Sequence, residues 1–231
     1  MRIGILETGS PPERLGGRFP SYAAMTRRML GDAHAYTVFD VRAGRLPEHP
    51  QGFDAYAITG SAAGVYDPLP WIANLIGFLR ALPPSVKLVG ICFGHQVMAE
   101  AFGGRAGKAP NGWGLGLHAY DVVERAPFMD AATRIAVPAS HQDQVLERPP
   151  GARVLAASAF TPLAMLAYAD RAALSVQCHP EFEPDFARAL TEGHRAGADD
   201  PALVEAALAS FDAPHDSARL GGWIRRFLES A

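Results

Sequence analysis

A chain of 231 residues, 48% hydrophobic and 19% charged, is long enough for one large domain with a substantial core. Its formal charge of −3 and the lack of any dense Lys/Arg run argue against nucleic acid or an anionic membrane surface as partner. No apolar run approaches the roughly 18 residues of a membrane span. The apolar stretch in "MRIGILETGS" is too short for a signal core, and two cysteines, Cys92 and Cys178, are too few for a disulfide framework, so a reducing cytoplasm is expected.

In chain order, "RIGILE" (2–7) reads as a first strand and "SYAAMTRRML" (21–30) as a helix, with apolar residues at helical spacing and a serine suited to the N-cap. "AYTVFDV" (35–41) and "FDAYAITG" (53–60) are strands. "PLPWIANLIGFLRALPP" (68–84) is a helix bracketed by prolines, and "VKLVGI" (86–91) is a nearly all-apolar strand. Alternating strands and helices with continuously apolar strands predict a mostly parallel sheet covered by helices on both faces.

Beyond about residue 115 the texture changes. "LGLHAYDVV", "TRIAVPA", "ARVLAAS", "LAMLAY" and "ALSVQCH" are short strand-like segments, expected to be antiparallel additions to the sheet or a small flanking one. "GWGLG" (112–116) lacks the strand–helix setting of a phosphate loop and reads as a turn into the next strand. Three helical stretches end the chain: "EPDFARALTEGHRA", "PALVEAALASF" and "DSARLGGWIRRFLES". The expected organisation is an α/β domain over 1–185 with a helical extension, 186–231, packed on it.

The chemistry centres on "VGICFGHQ" (89–96). A strand entering a helix through Gly-x-Cys-x-Gly is a nucleophile elbow: the tight turn leaves no room for flanking side chains and holds the central residue at the carboxyl end of the sheet. Unpaired N–H groups and the dipole of the following helix favour a thiolate at Cys92, and the Phe93 N–H can face an oxyanion. The bland alternative is that Cys92 is a small buried hydrophobe. A nucleophilic thiol needs a base and an orienting group. "SVQCHPEF" (175–182) places His179 at a strand end with Glu181 two residues on, close enough to fix its tautomer. His95 lies on the elbow helix itself, too near to reach back. His141 belongs to a polar loop, "PASHQDQV", and His34, His49, His118, His194 and His215 read as surface or capping residues.

"GICFGHQ" followed by "CHPEF", with "AITGSAAGVYD" (57–67) and "SHQDQV" (140–145), resembles the class I glutamine amidotransferases over roughly residues 1–185. The resemblance implies a flavodoxin-like fold and a Cys92–His179–Glu181 triad. It further implies an oxyanion hole from the backbone of Gly60, Ser61 and Phe93, and substrate contacts from Gln96, Ser140, His141 and Gln142. No cofactor or metal is implied. The turn Thr59-Gly60-Ser61-Ala62 departs from the family's Gly-Gly-Pro or Asn-Gly-Pro, and Cys178 stands where an aromatic residue is common.

The motifs look most like the free-standing group related to plant γ-glutamyl peptidases and to the amidotransferase domain of GMP synthetase. That implies hydrolysis of a small γ-glutamyl amide, glutamine or a conjugate, through a cysteine thioester. The alternatives are a glutaminase subunit feeding ammonia to a separate synthetase, a dienelactone-hydrolase-like esterase using Asp143 or Asp170 with His179, and a non-catalytic regulatory subunit. The oligomeric state is not legible.

Overall fold

The computed structural model describes residues 1–195 and 200–230. Its first half runs β1 (Arg2–Glu7), α1 (Tyr22–Leu30), β2 (Ala35–Asp40), β3 (Ala55–Ile58), α2 (Pro70–Ala81), β4 (Lys87–Ile91) and α3 (Phe93–Ala101). Ser21 caps α1 by accepting from the Ala24 N–H at 3.2 Å, and Pro70 opens α2 where no intrahelical donor is needed. The second half adds β5 (Arg105–Lys108), β6 (Gly114–Val122), β7 (Arg134–His141), β8 (Asp143–Glu147), β9 (Ala152–Ala157), β10 (Met165–Tyr168) and β11 (Ala173–Val176). Then come α4 (Pro184–Glu192), α5 (Pro201–Ser210) and α6 (Ser217–Glu229).

Nine strands form one sheet in the order β2-β1-β3-β4-β11-β10-β9-β6-β7. β2, β1, β3, β4 and β11 are mutually parallel, and antiparallel pairing takes over from β10 outward. Side-chain alternation along the strands divides the core between the two faces. Ile3, Ala57, Val89 and Ile91 pack with Leu220, Trp223 and Ile224 of α6, whereas Leu6, Tyr56, Ile58 and Leu88 pack with α2 and α3. The mixed sheet with helices on both faces and a helical tail is the expected architecture.

Three details differ from the sequence reading. β11 is parallel to β4 rather than an antiparallel addition. β5 and β8 were not anticipated; they form a separate two-stranded sheet whose short, mostly polar segments carry no clear alternation. His141 is not a loop residue: it ends β7 opposite Gly114, continuing the inward alternation of Ile135, Val137 and Ala139, and it is buried.

Candidate active site

The turn from β4 into α3 carries the backbone signature of the site. Cys92 has φ 52° and ψ −102°, and among the described residues no other non-glycine has positive φ. An L-residue resists that region, so the surrounding packing must hold it there. The flanking glycines show how tight the packing is. A Cβ at Gly90 would stand 2.5 Å from the Gly94 carbonyl oxygen, and one at Gly94 would stand 2.5 Å from the Ile58 oxygen on β3. The Cys92 N–H continues the sheet by donating to the Val176 carbonyl at 2.9 Å.

β4 and β11 are adjacent and parallel, with Ile91 opposite Val176. The residues just beyond their carboxyl ends therefore converge: Cys92 on one side, His179 on the other. Both line one cavity of about 630 Å³, together with Gly60, Gln96 and Ser140–Asp143. His179 Nδ1 lies 2.8 Å from Glu181 Oε1, and both side chains are almost fully buried. Phe182 stacks on the imidazole, centroids 4.0 Å apart and planes 6° from parallel. Burial works against a charge on His179. The Glu181 carboxylate, then the negative charge of a Cys92 thiolate, outweigh it and raise the imidazole to about 10.

Gly60 faces this pair from the third strand. A Cβ there would sit 3.1 Å from His179 Cε1 and 3.8 Å from Cys92 Cβ. The turn is clamped by the end of β1: Thr8 Oγ1 donates to the Thr59 carbonyl at 2.9 Å, and the Thr8 N–H donates to Thr59 Oγ1 at 3.0 Å. The N–H groups of Gly60, Ser61 and Phe93 donate to no acceptor among the described residues.

On the opposite wall, Gln96 Nε2 donates to the Asp143 carbonyl at 2.9 Å and to Gln177 Oε1 at 3.3 Å. Its amide hydrogens are thus committed, which leaves Oε1 as the atom to meet a ligand. His141 lies in the cavity wall, and burial, reinforced by the neighbouring His179 charge, lowers it to about 3, so its ring is neutral. Asp143, whose carboxyl is raised by burial, pairs in register with Lys108 across β5 and β8.

The other candidates separate cleanly. His95 is fully buried away from the cavity with Nδ1 2.7 Å from Ser175 Oγ. Cys178 is a core residue whose thiol burial pushes up in pKa. Asp170 is exposed and pairs with Arg171 at 3.1 Å, while Asp143 lines the cavity but Glu181 holds His179 Nδ1. Three of the histidines expected at the surface are not there, and one of them, His118, is half-buried against the Phe160 ring with centroids 5.1 Å apart. His34 is mostly buried, 3.6 Å from Glu229, and His194 lines the cavity against Trp113, centroids 4.7 Å apart. The sequence reading also missed Tyr22, Tyr66, Lys108, Trp113 and Leu190 in this wall. Tyr66, six residues beyond Gly60, and Trp113, inside the glycine-rich turn, stood in segments already singled out. No group of three or more His, Cys, Asp or Glu side chains among the described residues could hold a metal ion.

Several known proteins are similar to this chain in sequence or fold. The model of the family "Glutamine amidotransferase class-I" matches residues 34–189. "Gamma-glutamyl peptidase 4" of Arabidopsis thaliana is 33% identical over 181 residues, covering 72% of either chain. "GMP synthase [glutamine-hydrolyzing]" of Thermus thermophilus is 34% identical over 181 residues, which are 77% of this chain but 32% of that enzyme. A crystal structure of a glutamine amidotransferase from Thermotoga maritima superposes with a TM-score of 0.76 at 19% identity, covering 99% of this chain and 98% of that one. A neighbour from Methylobacillus flagellatus gives a TM-score of 0.77 at 18% identity, over 99% and 94%. With the elbow, the cavity and the matched span in agreement, this chain belongs to the class I glutamine amidotransferase family.

Proposed function

We propose that the chain is a cysteine-dependent hydrolase of γ-glutamyl amides, glutamine or a γ-glutamyl conjugate, acting through Cys92, His179 and Glu181. The observation that carries the reading is Cys92 held at positive φ at a helix N-terminus, in one cavity with an imidazole whose Nδ1 is 2.8 Å from a buried carboxylate. The Cys92 thiolate attacks the amide carbon, and the N–H groups of Phe93 and of the Gly60–Ser61 turn take the negative charge of the tetrahedral oxygen. The C–N bond then breaks, and protonated His179 gives its Nε2 proton to the departing ammonia or amine. A water that surrenders a proton to His179 cleaves the γ-glutamyl thioester, releasing glutamate and restoring the thiolate. Glu181 holds the tautomer and supports the imidazolium. Gln96 Oε1 and the Ser140–His141–Gln142 backbone orient the γ-glutamyl group. A catalytic thiolate and a second free thiol suit a reducing compartment, the cytoplasm.

The test is release of glutamate from glutamine and from γ-glutamyl dipeptides, with trapping of the thioester on Cys92 by mass spectrometry. Cys92→Ala and His179→Ala abolish it while circular dichroism stays that of the wild type. Wild-type turnover in either variant would show the triad assignment to be wrong. A second reading, glutaminase service to a separate synthetase, is favoured by the 34% identity to the Thermus enzyme. It predicts glutaminase activity that rises strongly only when that synthetase is added.

A further inference from the structure

The cavity is larger than a glutamine side chain requires; at about 630 Å³ it has the size of sites that enclose a drug-sized ligand. Its two sides differ in chemistry. On the Gln96 side stand Asp143, Lys108, Asp67 and the Ser140–Gln142 backbone, both signs of charge in one wall. That suits the zwitterionic α-carbon end of a γ-glutamyl group. On the His179 side the wall is apolar. Phe182 stacks on His179, Tyr22 packs on Phe182 with centroids 5.7 Å apart, and Leu190 packs against the same cluster. One turn on, His194 meets the edge of Trp113, which is 40% exposed at the cavity mouth. Burial, then the charge of Arg14, lowers the pKa of His194 and so disfavours a charge there. Arg14 itself is turned away, donating to the Ala189 and Leu190 carbonyls at 3.0 and 3.1 Å.

The side matters because of the reaction. The departing nitrogen takes its proton from His179, so whatever that nitrogen carries lies on the His179 side of the cavity. Ammonia carries nothing and would leave this wall bare. Resting on the hydrolase reading above, we infer that Trp113 and Leu190 form a leaving-amine subsite, and that the substrate is a γ-glutamyl amide whose amine carries an uncharged aromatic group. The bonds are those already written: S–C forms, C–N breaks, and the amine departs with the His179 proton. The aromatic body of the amine lies against the indole and the leucine, and the selectivity is expressed in acylation of Cys92.

Two synthetic amides isolate the effect, because both leaving groups are primary alkylamines and differ in their body. Wild-type enzyme turns over γ-glutamylbenzylamide with a kcat/KM at least about tenfold above that for γ-glutamylethylamide. Trp113→Ala reduces that ratio by about tenfold, and Leu190→Ala reduces it by less. Because the readout is a ratio within one protein, a partly unfolded preparation does not mimic it. A wild-type ratio near one, or a ratio that Trp113→Ala leaves unchanged, overturns the subsite and leaves γ-glutamyl hydrolysis standing. No turnover of glutamine or of either amide by the wild type overturns both.

Discussion

The pairing of His179 with Glu181 makes a quantitative prediction. With Nδ1 and Oε1 2.8 Å apart and both groups buried, the charge centres stand roughly 4 Å apart. At an effective dielectric of about 20 their attraction is about 4 kcal/mol, or about three pKa units. Burial opposes this and a Cys92 thiolate assists it, leaving the imidazole near 10 instead of 6.5. A raised pKa means that the stability gained by protonation is fully present below pH 6.5. It is lost as pH rises through about 10. The perturbation is Glu181→Gln, made in a Cys92→Ser background so that no thiolate contributes. The His179 pKa is then read from the imidazole Cε1–H resonance, and stability from guanidinium unfolding between pH 6.5 and 9.5. The single variant keeps a raised His179 and loses stability across that window. The double variant titrates at least about two units lower and shows a much flatter pH dependence. If the two proteins titrate within about half a unit of each other, the carboxylate is not what holds the imidazolium, and the electrostatic account of the site fails.

Other outcomes follow from the packing. Gly60→Ala brings a methyl 3.1 Å from His179 Cε1; kcat/KM for glutamate release falls about tenfold or more while the unfolding midpoint changes little, as steady-state kinetics beside a denaturant titration would show. Gly94→Ala places a Cβ 2.5 Å from a backbone oxygen that cannot rotate away, and destabilises by about 1–3 kcal/mol or more in the same titration. Trp223→Ala empties a fully buried site shared by α6 and the sheet. It costs about 3–5 kcal/mol in a single cooperative transition; an unchanged midpoint would show that α6 does not share the core.

Much of this was legible because the signals were local. The apolar strands, the Ser21 cap and the prolines around α2 are written in consecutive residues, and so are the two motifs that hold Cys92 and the His179–Glu181 pair. What escaped lies where one residue's environment is set by distant chain. His141 looked like a loop histidine because Gln142 and Asp143 beside it are polar; β7 alternation and its pairing with Gly114 bury it. The β5–β8 pair has too few apolar residues to announce itself. Trp113 and His194 stand 81 positions apart, and only the docking of α4 beside the β5–β6 turn brings their rings together.

The approach of Gly94 to Ile58 has a consequence for how the site tolerates change. Ile58 is two residues before Gly60, and its oxygen is touched by the first turn of the helix that carries Cys92. Cys92 and the Gly60–Ser61 turn are therefore gauged against each other by backbone on backbone, with Thr8 closing the frame from β1. A turn spelled Thr-Gly-Ser-Ala can replace one rich in glycine and proline because its position is fixed by the close Ile58–Gly94 backbone approach and by the Thr8–Thr59 hydrogen bonds. Substitutions along 61–63 should thus be absorbed as differences in what the cavity admits, whereas any side chain at position 94 would shift the two halves of the site apart.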